Sequence, residues 1–324
     1  MTFRFTDRLQ NRRLNSAIGN GPYDTSSFFV NTVPALPPES QALTAGNPRL
    51  LELTRQYVQF GNPPCSNWGS PERNLPYFRA DNDYVWQPRY FEDRFFARLR
   101  RYAKYVESVD TLQILNRTTE DLLFGAFGLR HRGRIVSRDL LDSVIQINWA
   151  YGAIRELRKA NPIILDIGAG YGRLAHRVSE AFDGSWCVSC ADGVALSTFI
   201  SEWYLNFREA RNVNVIPVPE LSSKLQTQRP DVAFNIHSFS EIPISSTLWW
   251  VNELEVAGVE NLIVVTNERT DDFLSSEVDG RRIDLFPVFK TRGWVVARQE
   301  PIVTDSDVRR ETNVLNSFLH FVRR

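Results

Sequence analysis

An acid followed by three alternating glycines, Asp166-Ile167-Gly168-Ala169-Gly170-Tyr171-Gly172-Arg173, comes directly after an apolar run at 163–165. Glycines at a strand-to-helix turn let a ligand approach the backbone beside the free N–H groups that open the helix. A dinucleotide loop of the form G-x-G-x-x-G would need its third glycine where Arg173 stands. About 20 residues after such a loop, an acid ending the next strand can bind ribose hydroxyls. Asp192, in Cys190-Ala191-Asp192-Gly193, occupies that place. A carboxylate accepts hydrogen bonds on both oxygens, which suits two vicinal hydroxyls.

The acid-x-G-x-G-x-G order, with Asp192 at its distance, predicts S-adenosyl-L-methionine as cofactor. The residues expected to hold it are Asp166, Gly168, Gly170, Tyr171, Gly172, Asp192 and Asn235. Methyl transfer from a sulfonium is an in-line displacement, so alignment and removal of the acceptor's proton are what a protein can supply. Ligands of parallel α/β sheets sit beyond the C-terminal strand ends, which directs attention to 235–241 and 266–269. His237 is one of only four histidines, and an imidazole with an ordinary pKa of about 6.5 accepts a proton near neutrality. His237 is therefore the candidate general base, with Glu241 orienting it or binding acceptor hydroxyls. Asn267 and Glu268 are further candidates for acceptor contacts. No grouping of Asp, Glu, His and Cys has metal-ligand spacing, and no metal is expected.

The elements that must position these residues are readable as an alternation. Apolar strands at 163–168, 186–192, 213–218, 231–237 and 262–268 are separated mostly by helical stretches, notably 171–182, 194–210 and 246–257. Such alternation predicts a parallel sheet with right-handed crossovers. The segments 294–302 and 316–324 read as a hairpin-like antiparallel addition. The expected fold is thus α/β, a Rossmann-like methyltransferase domain over 136–324 with a mostly parallel seven-stranded sheet. Residues 1–135 are expected to form a loop-rich and helical N-terminal extension. Within it, helical patterning begins near Gln87 and runs to about Gly128, and a further helix is predicted from Ser137, its N-cap, to about Lys159. Aromatics in the Pro- and Gly-rich first 80 residues (Tyr23, Phe28, Phe29, Trp68, Tyr77, Phe78, Tyr84 and Trp86) need something to cover, so that segment is expected as a lid over the acceptor or as a homodimer arm.

Lysine plus arginine number 38, equal to aspartate plus glutamate, so no net field draws the chain to nucleic acid or a membrane surface. A nucleic-acid substrate is further disfavoured because no N/D-P-P-aromatic signature follows the fourth strand. No apolar run reaches transmembrane length, and the N-terminus lacks the apolar core of a secretory signal. Cys187 and Cys190 lie within a predicted strand, where they read as packed thiols; with Cys65 they make an odd count suited to a reducing cytoplasm.

The stretches LDIGAGYGRLA (165–175), ADGVALSTFISEWYL (191–205) and NIHSFSEIP (235–243) resemble the sugar O-methyltransferase family, and 119–144 resembles its pre-domain linker. The similarity covers roughly residues 80–270. It departs from the family at Asp192-Gly193-Val194, where members often carry D-x-P. It implies a class I S-adenosylmethionine-dependent enzyme that methylates a hydroxyl, or sometimes an amino group, of a sugar or glycosylated small molecule. An amino-sugar N-methyltransferase and a non-catalytic cofactor-binding protein of the same fold are the alternatives; intact Asp166, Gly168, Gly170 and Asp192 argue against the latter.

Overall fold

The computed structural model describes residues 37–61, 75, 78, 84, 93–268 and 271–324. Among the N-terminal aromatics, only Phe78 and Tyr84 are described; the others, and Cys65, lie outside these residues. The chain divides into two compact units. The first contains the described residues of Met1–Ala45, Pro71–Asn148 and Asp307–Asn313, and the second those of Gly46–Ser70, Trp149–Ser306 and Val314–Arg324.

In the first unit, strands β1 (Gly128–His131) and β2 (Arg134–Ser137) form a hairpin whose turn residues Arg132 and Gly133 both have positive φ, the backbone a two-residue hairpin loop requires. The amphipathic helix carrying Leu99, Tyr102, Ala103 and Val106 on one buried stripe spans Asp93–Val109. The helical expectation fails for 111–127. Only two short 3₁₀ turns form there, Ile114–Asn116 and Leu123–Gly125. The cause is local: Asp110 accepts from the N–H groups of Ile114 and Leu115, Glu120 from Leu122, and Asp121 from Leu123, each at 2.8–2.9 Å. Acidic side chains that take backbone donors offer the chain an alternative to helix. Phe78 is fully buried and stacks on Phe124, with centroids 5.2 Å apart.

The second unit opens with helix α1 (Pro48–Phe60), capped by Asn47, whose side chain accepts from Arg49 N–H, and stopped by Gly61 at φ +74°. The helix at 93–109 is α2, and α3 (Arg138–Glu156) begins in the first unit and ends in the second. Strands β3 (Ile163–Ile167), β4 (Cys187–Asp192), β5 (Val213–Pro217), β6 (Val232–Ile236) and β7 (Asn261–Val265) are parallel. Between them run α4 (Arg173–Phe182), α5 (Ala195–Phe207), α6 (Leu221–Gln228) and α7 (Ile244–Val256). After them come β8 (Leu274–Ser276), β9 (Arg282–Asp284), α8 (Leu285–Thr291), β10 (Trp294–Pro301), α9 (Ser306–Thr312) and β11 (Ser317–Arg323).

The seven-stranded sheet has the order β10-β11-β7-β6-β3-β4-β5. β11 is antiparallel to both its neighbours and lies inside the edge strand β10. This is the Rossmann-like methyltransferase sheet. The antiparallel pair is present as expected, although a helix, α9, interrupts the connection. The β8–β9 hairpin was not anticipated; its turn contains Asp279-Gly280 with Gly280 at φ +84°, a dipeptide that signals such turns.

Alternation along β3 explains how the sheet is buried. Leu165 and Ile167 join Ala191, Ala233, Val264 and Phe321 in a core with α6, α7 and α8 through Leu221, Leu225, Trp250, Leu254 and Phe289. On the opposite face Trp149 of α3 stacks on Phe318 at 4.6 Å, and Arg298 lies over the same indole ring. The topology reverses between β3 and β6, which places the crevice for a ligand at their C-terminal ends.

Ser137 performs the predicted cap: its Oγ accepts from Leu140 N–H at 3.0 Å and donates to the Glu120 carboxylate. Replacing Ser137 by Ala removes both bonds, and urea denaturation should record a loss of about 1 kcal/mol.

Candidate functional site

The C-terminal ends of β3, β4 and β6 bring the glycine loop, Asp192 and the Asn235–Glu241 turn together. Gly168 N–H bonds to Ala191 O at 2.8 Å, so the loop starts locked to β4. Asp192 then completes the lock with its side chain. Its Oδ2 accepts from Gly170 N–H and its Oδ1 from Val194 N–H, each at 2.9 Å. The Ser197 hydroxyl also donates to this carboxylate, and an ionised carboxylate has about four acceptor positions, so capacity for a further donor remains.

The first and third glycines have separate reasons to be glycine. Gly168 has φ +70°, and a Cβ there would overlap the Ser238 side chain. Gly172 has φ +87°, and a Cβ would lie 2.8–2.9 Å from Leu205 and Ser201 of α5. The first therefore admits the β6 turn, and the second lets α4 approach α5. Tyr171 is buried, its ring edge-on to Tyr204 with centroids 4.9 Å apart. Behind that pair, Tyr204 Oη bonds His176 Nδ1 at 3.0 Å. Burial holds the His176 pKa well below its ordinary value, aided by Arg177 and Arg208.

Asn235 is fully buried. Its amide donates to Ile167 O at 3.1 Å and Ser238 Oγ at 2.5 Å, while its oxygen accepts from Phe239 N–H at 2.9 Å. These bonds fasten the turn after β6 to the end of β3. The S-F-S-E sequence now has a physical account. Ser238 abuts Gly168, Phe239 enters the core, and Ser240 O accepts from Ser276 Oγ at 2.6 Å. Glu241 accepts from Asn267 Nδ2 at 3.2 Å.

His237 sits between Asn235 and this turn with φ +66°, the left-handed region that non-glycine residues occupy uncommonly. Its N–H bonds Val265 O at 2.9 Å, which ties it to β7, and its Nε2 is shielded from solvent. Glu268 receives the Arg282 guanidinium, which also donates to Ser275 O at 2.8 Å. The remaining histidines have structural partners elsewhere: His131 pairs with Glu107, and His320 bonds Asn261, both at 3.0 Å. Cys190 is buried and Cys187 half-buried, and both are free thiols. Among the described residues, no group of three or more His, Cys, Asp or Glu side chains is arranged to hold a metal, and no helix is long and apolar enough to cross a membrane.

Two residues of the site carry only weak sequence signals. Ser238 was visible only as part of a motif. Tyr57 lies on α1, a helix announced by Asn47-Pro48 at its start and Gly61 at its end, signals outweighed by the loop-like composition around them.

The electrostatics of the site are set by two close carboxylates. Burial pushes Asp166 up to about 7; Arg173 opposes this and Asp192 adds to it. Desolvation pushes Asp192 up to about 6, opposed by the N–H bonds from Gly170 and Val194 and reinforced by Glu241. Two buried carboxylates raised in this way would be stabilised in their ionised form by a nearby positive charge.

No protein-family model matches the sequence, and no curated protein sequence matches it. The resemblance to the sugar O-methyltransferases therefore stands on its motif residues alone. Solved structures with a similar fold include a SAM-dependent methyltransferase from Aquifex aeolicus, at 15% identity and TM-score 0.40, covering 53% of this chain and 89% of that one. A second is a magnesium protoporphyrin IX methyltransferase from Synechocystis PCC 6803 with bound SAM, at 12% identity and TM-score 0.39, covering 74% and 100%. A third, a sarcosine dimethylglycine methyltransferase from Galdieria sulphuraria, gives 12% identity and TM-score 0.43, covering 69% and 97%. At these distances no residue role or substrate carries over, and the fold stands on the strand order itself.

The raised carboxylates have a consequence for stability. The penalty of an acid whose folded pKa exceeds its unfolded one is absent below the unfolded value, grows through the interval and is complete above the folded value. For Asp166 that interval runs from 3.8 to about 7. At about 1.4 kcal/mol per pKa unit, the penalty approaches about 4 kcal/mol above pH 7. Asp166→Asn should therefore raise the melting temperature of the ligand-free protein at pH 8 and leave it nearly unchanged at pH 4. An equal shift at both pH values would show that the charge is not the cause.

Proposed function

We propose that this chain is an S-adenosylmethionine-dependent methyltransferase acting on a hydroxyl of a sugar or glycosylated small molecule, with His237 as general base. The observation that carries the cofactor reading is the carboxylate of Asp192, hydrogen-bonded across to Gly170 in the loop after β3. Asp192 would accept the ribose hydroxyls, one on its remaining acceptor position and one in place of the Ser197 hydroxyl. Gly168, Gly170 and Gly172 would shape the loop that passes the methionine end, with Asp166 supplying negative charge beneath it. The donor set fits a cationic adenosyl ligand because both carboxylates are raised by desolvation and gain from a nearby positive charge.

When bound, the cofactor supplies a methyl carbon on a positively charged sulfur. The protein's own work is then alignment and proton removal. His237 follows Ile236, the last residue of β6, and precedes Ser238, the residue against Gly168, so it belongs to the turn that borders the glycine loop. With Nε2 shielded from solvent, its Nδ1 would accept the acceptor hydroxyl's proton as the oxygen attacks. Glu241, held by Asn267, would support the imidazole or bind a second acceptor hydroxyl. The acceptor class is supported by the resemblance in 165–175, 191–205 and 235–243.

The test is transfer of labelled methyl from S-adenosylmethionine to a panel of sugars, glycosides and amino sugars, with wild type, His237→Ala and His237→Asn. Asparagine tolerates the left-handed backbone, so the second variant separates loss of the base from backbone strain. A positioned base contributes about 10²–10⁴-fold, and both variants should lose kcat by about that factor while labelled methyl ethers form in wild type. Label found only on amines, or a variant retaining more than about a third of wild-type kcat, would contradict the proposal.

A further inference from the structure

Helix α1 is sequence-distant from the glycine loop, yet it lies on the element that follows the ribose acid. Leu50 and Leu53 are buried, and Arg49 holds Glu202 of α5 through two bonds of 2.9 and 2.6 Å. At the other end of α1, the Tyr57 hydroxyl enters the space between the ends of β4 and β5. It donates to Asp192 O at 3.0 Å, accepts from Val218 N–H at 3.0 Å, and lies 2.7 Å from Thr198 Oγ1. A phenol has one proton and two acceptor positions. With Thr198 donating, all three are used.

The geometry is specific to one residue of the site. The same Asp192 whose side chain grips the glycine loop has its carbonyl held by Tyr57, and Val218 follows the last residue of β5. Burial keeps the phenol protonated, its pKa moved upward by desolvation, so this donor does not titrate in the working range. The β4 and β5 ends are the two that would flank the adenosine if Asp192 takes the ribose.

We propose that Tyr57 is a positioning residue for the cofactor, fixing the Asp192 backbone so that its carboxylate faces the ribose, and that α1 is thereby part of the cofactor site. This inference rests on the reading of Asp192 as the ribose acid. Tyr57 acts through Asp192 and does not itself do chemistry.

The experiment is calorimetric titration of S-adenosylhomocysteine into the full chain as wild type, Tyr57→Phe, Asp192→Ala and the double variant, with circular dichroism to establish folding. Tyr57→Phe keeps the ring and removes the three bonds, so affinity should fall at least about fivefold. Coupled residues give non-additive effects, and in the Asp192→Ala background the same change should cost less than about twofold. In steady-state turnover Tyr57→Phe should raise KM for S-adenosylmethionine and leave kcat close to wild type, a split that general loosening of the fold would not produce. If Tyr57→Phe proves unfolded, Arg49→Glu loosens the same helix from a more exposed position. It should weaken binding, and adding Glu202→Arg should restore it. Unchanged affinity in a folded Tyr57→Phe or Arg49→Glu variant, or an equal loss with and without Asp192, would overturn the role of α1 while leaving the cofactor reading intact. No binding by wild type would overturn the cofactor reading and this inference with it.

Discussion

The arrangement depends on one carboxylate. Asp192 ends β4 and accepts from Gly170 in the loop after β3 and from Val194 at the threshold of α5. The loop after β3, the end of β4 and the start of α5 are held at one point by two bonds to a charged acceptor, each of a type worth about 1.5–3 kcal/mol. Without them the loop, the end of β4 and the helix that packs on Gly172 would lose their common reference. Asn235 performs the matching task on the other side, joining the β6 turn to β3. The crevice is thus framed by an anion on one wall and a neutral, fully satisfied amide on the other.

That frame costs stability. Asp166 is only 2% exposed and Asp192 lies beside it, so ionising both above neutrality is unfavourable in the ligand-free protein. The apolar core beneath the sheet, where Phe273 and Phe289 each pack against Phe239 and Phe321, supplies the offset. A nearby cation would lower that cost. Strain at a binding site compensated by a well-packed core is a recurrent arrangement, and here the same residues serve both the tension and the proposed affinity.

Much of this was legible in the sequence because it was periodic or punctuated. The β3 to β7 alternation, the Ser137 cap and the glycine spacing are local signals, and the structure bears them out with strand limits shifted by one to three residues. The segment 111–127 has apolar spacing that reads as helical, whereas the backbone bonds of Asp110, Glu120 and Asp121 that prevent a helix carry no periodic signal. Asn235 could be placed at the strand end, but its full set of bonds depends on Ile167, Ser238 and Phe239 converging in space. Tyr57 was beyond reach for the same reason: its three partners lie 135 or more residues away.

Proton release on cofactor binding tests the central claim most directly, because it reports on the two carboxylates themselves. S-adenosylmethionine would be titrated calorimetrically at pH 6.5 in buffers of different ionisation enthalpy. With Asp166 near 7 and Asp192 near 6 in the free protein, binding a cation and ribose hydroxyls at these groups should drive them to the ionised form. The account predicts a net release of about half a proton to one proton per ligand, vanishing by pH 9. Binding without proton release at pH 6.5, or proton uptake, would contradict it.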